Sequence, residues 1–533
     1  MTPTVTVVGS GASGVHFALT VLRKGGRVRM LDVGRRGQPH VLPAVSLDGL
    51  KSSLPDPTEY FLGRGYEAVH LPGVNEEYYG IPPSKEYVFD APAGFDHTSR
   101  GFAPLFSFAG GGLAEAWTGG CYPLKPEETV DFPFAPNALA PHYSEVARRI
   151  GVSGDADDLV RFMPMHDHLQ PPLRLDRHSE ALVARYGRVK ERMNREGVYL
   201  GRSRVATISQ PLGQREPCNY SGRCLWGCPR GSLYTPSQTL RECLTYDTFE
   251  YVPGIEVTRL TLGEGGRIAG VVGTVLETGE ERAFSADRVA LAAGTLLSTR
   301  IFLATMRREA GRDVRLTGLM DNRQLLVPFV NLGMLGQAFS PDTYQYHLLG
   351  LGFEYPSAKD YVHGQITTLK TALVHPLVQR LPLQLGASTR IFRALHAALG
   401  LVNVNFRDTR RDDSYIELTD DAQPRLRIGY TPDAAEPERI ATALGRVKRA
   451  LRALNCIVPP GMVHVRPMGA SVHYAGTLPM TADAAPFTTT PSCESRDIGN
   501  LLLVDGATFP FLPAKNLTFT LMANAVRIAE AVF

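Results

Sequence analysis

The sequence predicts a mixed α/β (α+β) fold in two parts: one domain on a parallel sheet and a second domain on a largely antiparallel sheet. Three observations lead to this prediction. The chain begins with a strand, a glycine-rich turn and a helix; a second such unit occurs near residue 294; and strand-like segments alternate with irregular ones between Met320 and Ile457. A chain of 533 residues, 44% of them hydrophobic, can bury the cores that this fold requires.

The segment from Thr4 to Gly34 has the pattern of a dinucleotide-binding βαβ unit. A short β-branched strand leads into Gly9, Gly11 and Gly14 in G-x-G-x-x-G spacing. An amphipathic helix follows, and the next strand ends at Asp32. In such a unit the glycines permit a tight turn, close approach of a pyrophosphate and packing of the helix on the strand. The helix N-terminus then faces the phosphates, and Asp32 can accept a hydrogen bond from a ribose hydroxyl.

Composition excludes several classes of protein. Lys+Arg (56) and Asp+Glu (53) are nearly balanced, and no basic run is present, so we expect no nucleic-acid partner. No apolar run approaches the ~20 residues of a membrane span, and the N-terminus lacks the pattern of a signal peptide. Seven cysteines, an odd number in a long chain, argue against a disulfide scaffold. We therefore expect a cytoplasmic protein.

A glycine-rich stretch precedes Tyr122. Gly110, Gly111 and Gly112 are followed by Trp117 and then by two more glycines. Because glycine is costly in regular structure, this density indicates backbone held close to a flat or anionic group, or a plain tight turn. The residues alone leave both interpretations open.

A hairpin and a second strand–glycine–helix unit are predicted in the middle of the chain. The alternating runs Glu256–Leu262 and Arg267–Leu276 form the hairpin. A strand at Arg288–Ala293 then ends at Gly294, and a helix begins near Leu296. This arrangement is typical of a nucleotide site or of an ordinary βα unit.

Three cysteines lie close together in a glycine-rich loop. Cys218, Cys224 and Cys228 have the spacing C-x5-C-x3-C and are followed by proline. Such spacing is compatible with iron–sulfur ligation, whereas a zinc site would need a fourth ligand. The alternative is that they are buried as small hydrophobic side chains.

The segment Tyr361–Arg407 contains no acidic residue. A helical face made of four apolar residues, with two arginines off it, suggests a basic amphipathic helix. Such a helix could lie on a membrane, line the access route of a lipid-like substrate, or pack on its own sheet. The apolar residues are Ile391, Leu395, Leu399 and Val402, and the arginines are Arg390 and Arg393.

Two residues near the C-terminus are candidates for chemistry. His473 precedes a predicted strand at Asn500–Asp505, and Asn516 lies just before a predicted C-terminal helix. A lone histidine is more often structural than catalytic. The pairing matters because this fold can bring both side chains to one face of a cofactor.

In order and over most of its length, the chain resembles the glucose–methanol–choline (GMC) oxidoreductases, flavoproteins that oxidise alcohols. The resemblance implies that FAD is bound at its ADP half, near its adenine, and along its flavin, ribityl chain and phosphates. The ADP half would be held by Gly9, Gly11, Ser13, Gly14 and Asp32. The adenine would lie near Val257 and Gly294. The flavin, ribityl chain and phosphates would lie along Gly111, Gly112, Trp117, Asp505, Gly506 and Thr518. The chain departs from the family at Leu113–Glu115, where relatives place small hydroxylic residues, and at Leu517, where a proline is common.

The same resemblance implies a mechanism and a division into domains. His473 would act as general base, an effect worth ~10²–10⁴ in rate, while Asn516 orients the substrate and a hydride passes to flavin N5. The helix N-terminus near Thr518 would offer its dipole to the reduced flavin, worth ~0.3–1 kcal/mol at exposed sites. The FAD domain would comprise residues 1–50, 101–125, 205–318 and 458–533, and the substrate domain residues 51–100, 126–204 and 319–457.

Substrate and electron acceptor remain open at this stage. The expected substrate is a small or lipid-like alcohol, and the acceptor is oxygen, a quinone or a cytochrome. The cysteine spacing resembles that of family dehydrogenases with a [3Fe–4S] cluster. Peripheral membrane contact, a non-redox lyase or decarboxylase activity and a role as an electron-transfer subunit are the alternatives.

Overall fold

The fold is given by a computed structural model, which describes residues 4–37, 42–69, 77, 79–369, 378 and 382–533. Its framework is a parallel sheet of five strands, whose β-branched and leucine side chains are buried on both faces, as parallel sheets require. The N-terminal strand lies at its centre. In spatial order the strands are Leu501–Leu503, Val289–Leu291, Val5–Val8, Val28–Leu31 and Phe249–Val252.

Helices and a small sheet cover the two faces of the parallel sheet. Helices Ala12–Arg23 and Thr518–Val532 share one hydrophobic core with it. Helix Thr295–Ala310 and a three-stranded antiparallel sheet share the other. The strands of that small sheet are Ile255–Leu262, Ile268–Val275 and Glu281–Ser285.

The second major element is a larger antiparallel sheet. One of its faces packs on helices Arg177–Arg195 and Glu436–Ala453 through a separate apolar core. Its strands, in spatial order, are Cys456–Ile457, Gln324–Asn331, Leu399–Asn405, Val362–Thr368, Leu349–Phe353 and Val198–Arg202; His464–Val465 also pairs with Gln324–Asn331.

Smaller elements complete the fold. A four-stranded sheet contains Arg315–Thr317, Tyr415–Leu418, Leu426–Gly429 and His97–Arg100, and two short ladders pair Asp408–Thr409 with Phe511–Leu512 and Val152–Ser153 with Leu169–Gln170. The remaining helices are Leu47–Ser53, Pro57–Leu62, Ala140–Ile150, Pro236–Cys243 and Leu385–Leu395. Among the described residues, no helix has both the length and the apolar character needed to cross a membrane.

The predicted fold class is confirmed: a parallel sheet with helices stands beside a largely antiparallel sheet. The long helix Glu436–Ala453 lies within the segment 320–457, for which the sequence predicted strand-like and irregular segments, and a second long helix, Arg177–Arg195, was not predicted. Tyr60 and Phe61, in the stretch between the fingerprint and the glycine-rich loop, pack against Trp226, with ring centroids 5.6 and 4.9 Å away. The domain boundaries stay a prediction.

The predicted basic amphipathic helix is wrong in its extent. The helix Leu385–Leu395 ends at the second of the four apolar residues, and the other two, Leu399 and Val402, lie in the strand Leu399–Asn405. A strand forms because Val402 faces the apolar core of the antiparallel sheet, where it is fully buried. Residues 370–377 and 379–381 of this segment lie outside the described residues.

Candidate active site

Three helices begin at the wall of one cavity. Their N-cap residues are Gly11, Gly294 and Leu517, and none of these receives a capping hydrogen bond from a side chain. The first N–H groups of a helix lack intrahelical partners and carry the positive end of the helix dipole. The cavity therefore suits a ligand with anionic groups, as the fingerprint at residues 9–14 predicts.

The fingerprint glycines meet two different needs. A Cβ atom on Gly14 would lie 2.1 Å from the carbonyl oxygen of Gly9, so the helix can approach the turn only without a side chain there. A Cβ atom on Gly11 would have only the carbonyl oxygen of Ala292 as a neighbour, at 4.0 Å. Gly11 thus lines the cavity with bare backbone, which is what close approach of a pyrophosphate requires.

Asp32 lies at the cavity wall, at the end of the second parallel strand. Its Oδ2 atom accepts hydrogen bonds from the hydroxyls of Ser10 and of Tyr251, the latter at 3.0 Å. Burial raises the pKa of Asp32 to about 6, against the opposing effect of these two donors. The backbone N–H of Gly111 donates to Ser10 Oγ at 2.9 Å and so joins the glycine-rich loop to the fingerprint.

Asp505 connects the edge strand of the parallel sheet to a helix start. Its Oδ2 atom accepts from the Gly294 N–H at 3.0 Å and from the Ser298 hydroxyl at 2.5 Å, and its Oδ1 atom accepts from the Ala507 N–H at 3.0 Å. Burial raises the pKa of Asp505 to about 6. The carboxyl group is held by these three donors and faces the cavity.

Most of the predicted cofactor residues line this cavity, and three do not. Gly14 packs inside the fingerprint, Gly111 bonds to Ser10, and the Trp117 indole N–H donates to the Tyr234 carbonyl at 2.7 Å. At the departure Leu113–Glu115, the buried Glu115 carboxylate accepts from the N–H and the hydroxyl of Ser237. The residues that line the cavity are Gly9, Gly11, Ser13, Asp32, Gly112, Val257, Gly294, Asp505, Gly506 and Thr518.

These features fit FAD. Bare backbone at Gly11 and Gly294 leaves room for a ligand, since a Cβ atom on Gly294 would meet nothing within 4 Å. Three helix N-termini supply donors for phosphates and for an electron-rich ring, and Asp32 supplies an acceptor.

His473 adjoins the cavity: it is not a lining residue itself, but its neighbours in the chain, Val472 and Tyr474, are. Its Nδ1 atom is 3.1 Å from Asn322 Oδ1. The Nδ2 group of Asn322 already donates to the carbonyls of Phe406 and Pro513, at 2.7 and 2.9 Å, so Oδ1 is the end that faces the histidine. Nδ1 therefore carries the proton, and Nε2 presents a lone pair.

The protonation state of His473 follows from its surroundings. Burial, and next the positive charge of Arg466, lower the pKa of His473 to about 4. The ring is therefore neutral at neutral pH. Among the described residues, Nε2 has no hydrogen bond, so it is available as a base.

Asn516 stands on a short segment that is anchored from several sides. Its Oδ1 atom accepts a hydrogen bond from Gln365 Nε2 at 2.6 Å. The adjacent Lys515 is fully buried, forms an ion pair with Glu128 and donates to the carbonyls of Pro123 and Phe162, at 3.0 and 2.6 Å. Asn322 holds Pro513, so one amide contacts both His473 and the Asn516 segment.

The antiparallel sheet presents polar side chains on the face opposite its apolar core. Gln324, Asn405 and His363 form one cross-strand row, and Asn403 and Gln365 belong to the next. His363 lies near the catalytic candidates: burial, and next the positive charge of Lys515, the residue beside Asn516, lower its pKa. This polar surface was not predicted from the sequence. Its one signal is the alternation Val402, Asn403, Val404, Asn405, where every second residue is an amide.

The expected iron–sulfur ligands are not supported. In the described part of the chain, no group of three or more Cys, His, Asp or Glu residues is arranged to hold a metal ion. Cys218 and Cys224 each accept a backbone N–H, from Tyr220 and Gln345, at 3.4 Å. Burial raises the pKa of Cys218 to about 11, so this cysteine is a neutral thiol. Cys218, Cys224 and Cys228 therefore do not fit a [3Fe–4S] cluster, and the first two pack in a hydrophobic cluster instead.

Comparison with known proteins agrees with this geometry. Residues 410–525 match the family model described as GMC oxidoreductase. The chain is 24% identical to 6'''-hydroxyparomomycin C oxidase of Streptomyces lividus (99% of this chain, 91% of the relative) and 25% identical to C-glycoside 3-oxidase of Microbacterium trichothecenolyticum (99% and 96%).

Solved structures show the same fold at low identity. Pyridoxine 4-oxidase from Mesorbium loti has a TM-score of 0.61 at 13% identity, and formate oxidase of Aspergillus oryzae RIB40 one of 0.62 at 12%; both alignments cover 99% of this chain and 98% of the other. The family match and the two relatives named as oxidases support a GMC-like oxidoreductase, and the solved structures show the same fold.

Proposed function

We propose that this protein is an FAD-dependent GMC oxidoreductase that oxidises a CH–OH group of a small polyhydroxylated substrate, with His473 as general base. The observation that carries the proposal is the neutral, buried imidazole beside the cavity, whose Nδ1–H is held by Asn322. The other ring nitrogen is left to accept a proton.

The chain's own residues account for the movement of the proton. His473 Nε2 takes the substrate O–H proton as the C–H bond gives up a hydride and the carbonyl forms. When bound, FAD supplies the acceptor for that hydride. The proton settles on a ring whose low pKa disfavours holding it, so its return to solvent or to the acceptor completes the cycle.

Asn516 assists by donating a hydrogen bond. Its Oδ1 atom is engaged by Gln365, which leaves the Nδ2–H groups for the reacting oxygen. That oxygen gains negative charge as its proton leaves. Donors placed before the reaction stabilise such charge without the cost of reorganisation.

The polar face of the antiparallel sheet favours a polyhydroxylated substrate over a lipid-like one. Three buried atoms on it, Asn405 Nδ2, Asn403 Oδ1 and His363 Nε2, have no hydrogen-bond partner among the described residues. A buried polar group left unpaired costs ~1–3 kcal/mol, so an apolar substrate here would leave that cost in place. Hydroxyl groups can both donate and accept, and so suit a mixed set of amides and imidazole.

The names of the relatives point in the same direction. They include a hydroxyparomomycin oxidase and a C-glycoside oxidase, and both are called oxidases. We therefore assign a glycoside-like substrate class and oxygen as the electron acceptor.

An anaerobic substrate screen tests the proposal. FAD-loaded protein is mixed with glycosides, aminoglycosides, long-chain alcohols and sterols, and flavin absorbance is followed. Bleaching by a glycoside or aminoglycoside is expected, with recovery on admitting oxygen and formation of a carbonyl product. Bleaching by sterols or long-chain alcohols alone would overturn the substrate class, and product formed without bleaching would overturn the redox function.

A further inference from the structure

Gln365 approaches the candidate catalytic pair from the antiparallel sheet. It lies in the strand Val362–Thr368, and its Nε2 atom donates to Asn516 Oδ1 at 2.6 Å. We infer that Gln365 is a positioning residue that fixes the orientation of the Asn516 amide, so that Nδ2 faces the substrate. The inference rests on the proposed role of Asn516 as a donor to the reacting oxygen.

The two ends of an amide side chain form different hydrogen bonds. An asparagine side chain has an acceptor at Oδ1 and two donors at Nδ2, and a rotation of its amide exchanges them. Gln365 offers N–H groups at the contact, so Oδ1 of Asn516 must face it; the reverse orientation would bring two donors together. In the observed orientation, Nδ2 of Asn516 has no hydrogen-bond partner among the described residues.

Both partners are held firmly. Gln365 lies on a central strand, paired with Gly350 on one side and Asn403 on the other, and its side chain is 4% exposed. Its Nε2 group also lies 3.4 Å from the hydroxyl of the fully buried Tyr122. The segment that carries Asn516 is anchored through the buried ion pair of Lys515 and Glu128.

The orientation has a kinetic consequence. An alcohol oxygen in the ground state can either donate or accept, so a reversed amide would still bind it. The oxygen that has lost its proton can only accept, so a reversed amide would oppose the transition state. Gln365 should therefore affect the limiting rate of flavin reduction more than substrate affinity.

The test replaces the donor with an acceptor. In Gln365→Glu the carboxylate has nearly the same shape but accepts hydrogen bonds, which draws Nδ2 of Asn516 towards it. The limiting rate of flavin reduction by the substrate found in the screen should fall about tenfold to hundredfold, with substrate Kd changed less than threefold. Gln345→Glu is the matched control, because Gln345 Oε1 only accepts, from the Leu225 N–H at 2.8 Å, and a carboxylate keeps that bond.

A double substitution separates positioning from a general structural effect. In the Asn516→Ala background, adding Gln365→Glu should cause no further loss of rate. An equal loss in both backgrounds would show that Gln365 does not act through Asn516 and would overturn the inference. If the Glu variant fails to retain FAD, Gln365→Met removes the donor without adding charge, and the same comparison applies with a smaller expected loss, about fivefold.

The proposed role of Asn516 and the positioning role of Gln365 can be refuted separately. If Asn516→Ala reduces its flavin at the wild-type rate, the proposed role of Asn516 is wrong. If Asn516→Ala is slow and Gln365→Glu is not, the proposed function stands and only the positioning role is overturned.

Discussion

The cofactor cavity and the polar face of the antiparallel sheet approach each other at His473 and Asn516, whose chain neighbours line the cavity, while Gln365 of the sheet donates to Asn516. The two regions are built from different parts of the polypeptide. The cavity has bare backbone in its wall at Gly11 and Gly294, and three helices start there. The sheet face is made of side chains at alternate positions of paired strands. We therefore expect FAD binding in the cavity to be weakened by adding atoms, and substrate binding at the sheet face to be weakened by removing polar atoms.

The largest effect is expected from adding a single methyl group beside the cofactor cavity. Gly14→Ala places a Cβ atom 2.1 Å from the Gly9 carbonyl oxygen, so the helix must move away from the turn at which we expect the pyrophosphate to bind. We expect purified protein to contain almost no FAD, as measured by the ratio of flavin to protein absorbance.

Gly187→Ala is the matched control for that change. Gly187 is also a helical glycine, but a Cβ atom there meets nothing within 4 Å. Replacing an exposed helical glycine by alanine stabilises a helix by up to ~1 kcal/mol, so FAD content should be normal and the melting temperature slightly higher. Normal FAD content in both variants would show that close packing at Gly14 does not shape the cofactor site.

The next largest effect is expected where the two regions approach each other. His473→Ala should retain FAD, because the imidazole is not part of the cavity lining, but should reduce it at least a hundredfold more slowly, as is usual on losing a general base. Anaerobic stopped-flow absorbance measures this rate. His396→Ala is the control. The His396 ring stacks on Phe339, with ring centroids 3.8 Å apart, and does not line the cavity, so this variant should reduce FAD at the wild-type rate. Wild-type reduction by His473→Ala would remove this histidine from the mechanism.

A smaller effect is expected on the sheet face. Asn403→Leu removes a carbonyl oxygen that has no partner among the described residues, so one hydrogen bond to the substrate is lost. At ~0.5–1.5 kcal/mol per bond, substrate Kd should rise roughly twofold to tenfold while FAD content stays normal. Flavin bleaching titrated with substrate measures this.

Thr367→Val is the control for Asn403→Leu. Thr367 projects from a neighbouring strand of the same sheet but pairs with Leu401, in a row that ends in Pro328. Substrate Kd should not change. Equal weakening by both variants would mean that the sheet face contributes general polarity rather than a specific contact at Asn403.

The same contrast explains what the sequence could predict. A dinucleotide site could be predicted because the residues that indicate it lie close together in the sequence. Gly9, Gly11 and Gly14 belong to one turn and the start of its helix, and Asp32 ends the next strand. His473 and Asn516 were selected as candidates from their positions before a predicted strand and a predicted helix, and their roles were inferred from a family resemblance. Gln365 and Asn322 could not be found, because their roles depend on which strands pair and in which register, and a shift by one residue would turn each side chain to the other face. The helices at 177–195 and 436–453 were missed because only their packing on the distant strands identifies their apolar faces.

The smallest effect concerns pH, and it tests how the two regions together shape His473. Burial between them, and then the charge of Arg466, lower the pKa of His473 from its ordinary 6.5 to about 4. A base works when unprotonated, so lowering the pKa extends activity towards acid. The rate of flavin reduction should be flat from about pH 8 to pH 5.5 and fall only as pH approaches 4, whereas an unperturbed histidine would lose half its activity near pH 6.5. In Arg466→Gln one of the two causes is removed, so the midpoint should move towards higher pH. A wild-type midpoint near 6.5 would mean that water hydrates the ring and that the sheet does not seal this end of the cavity.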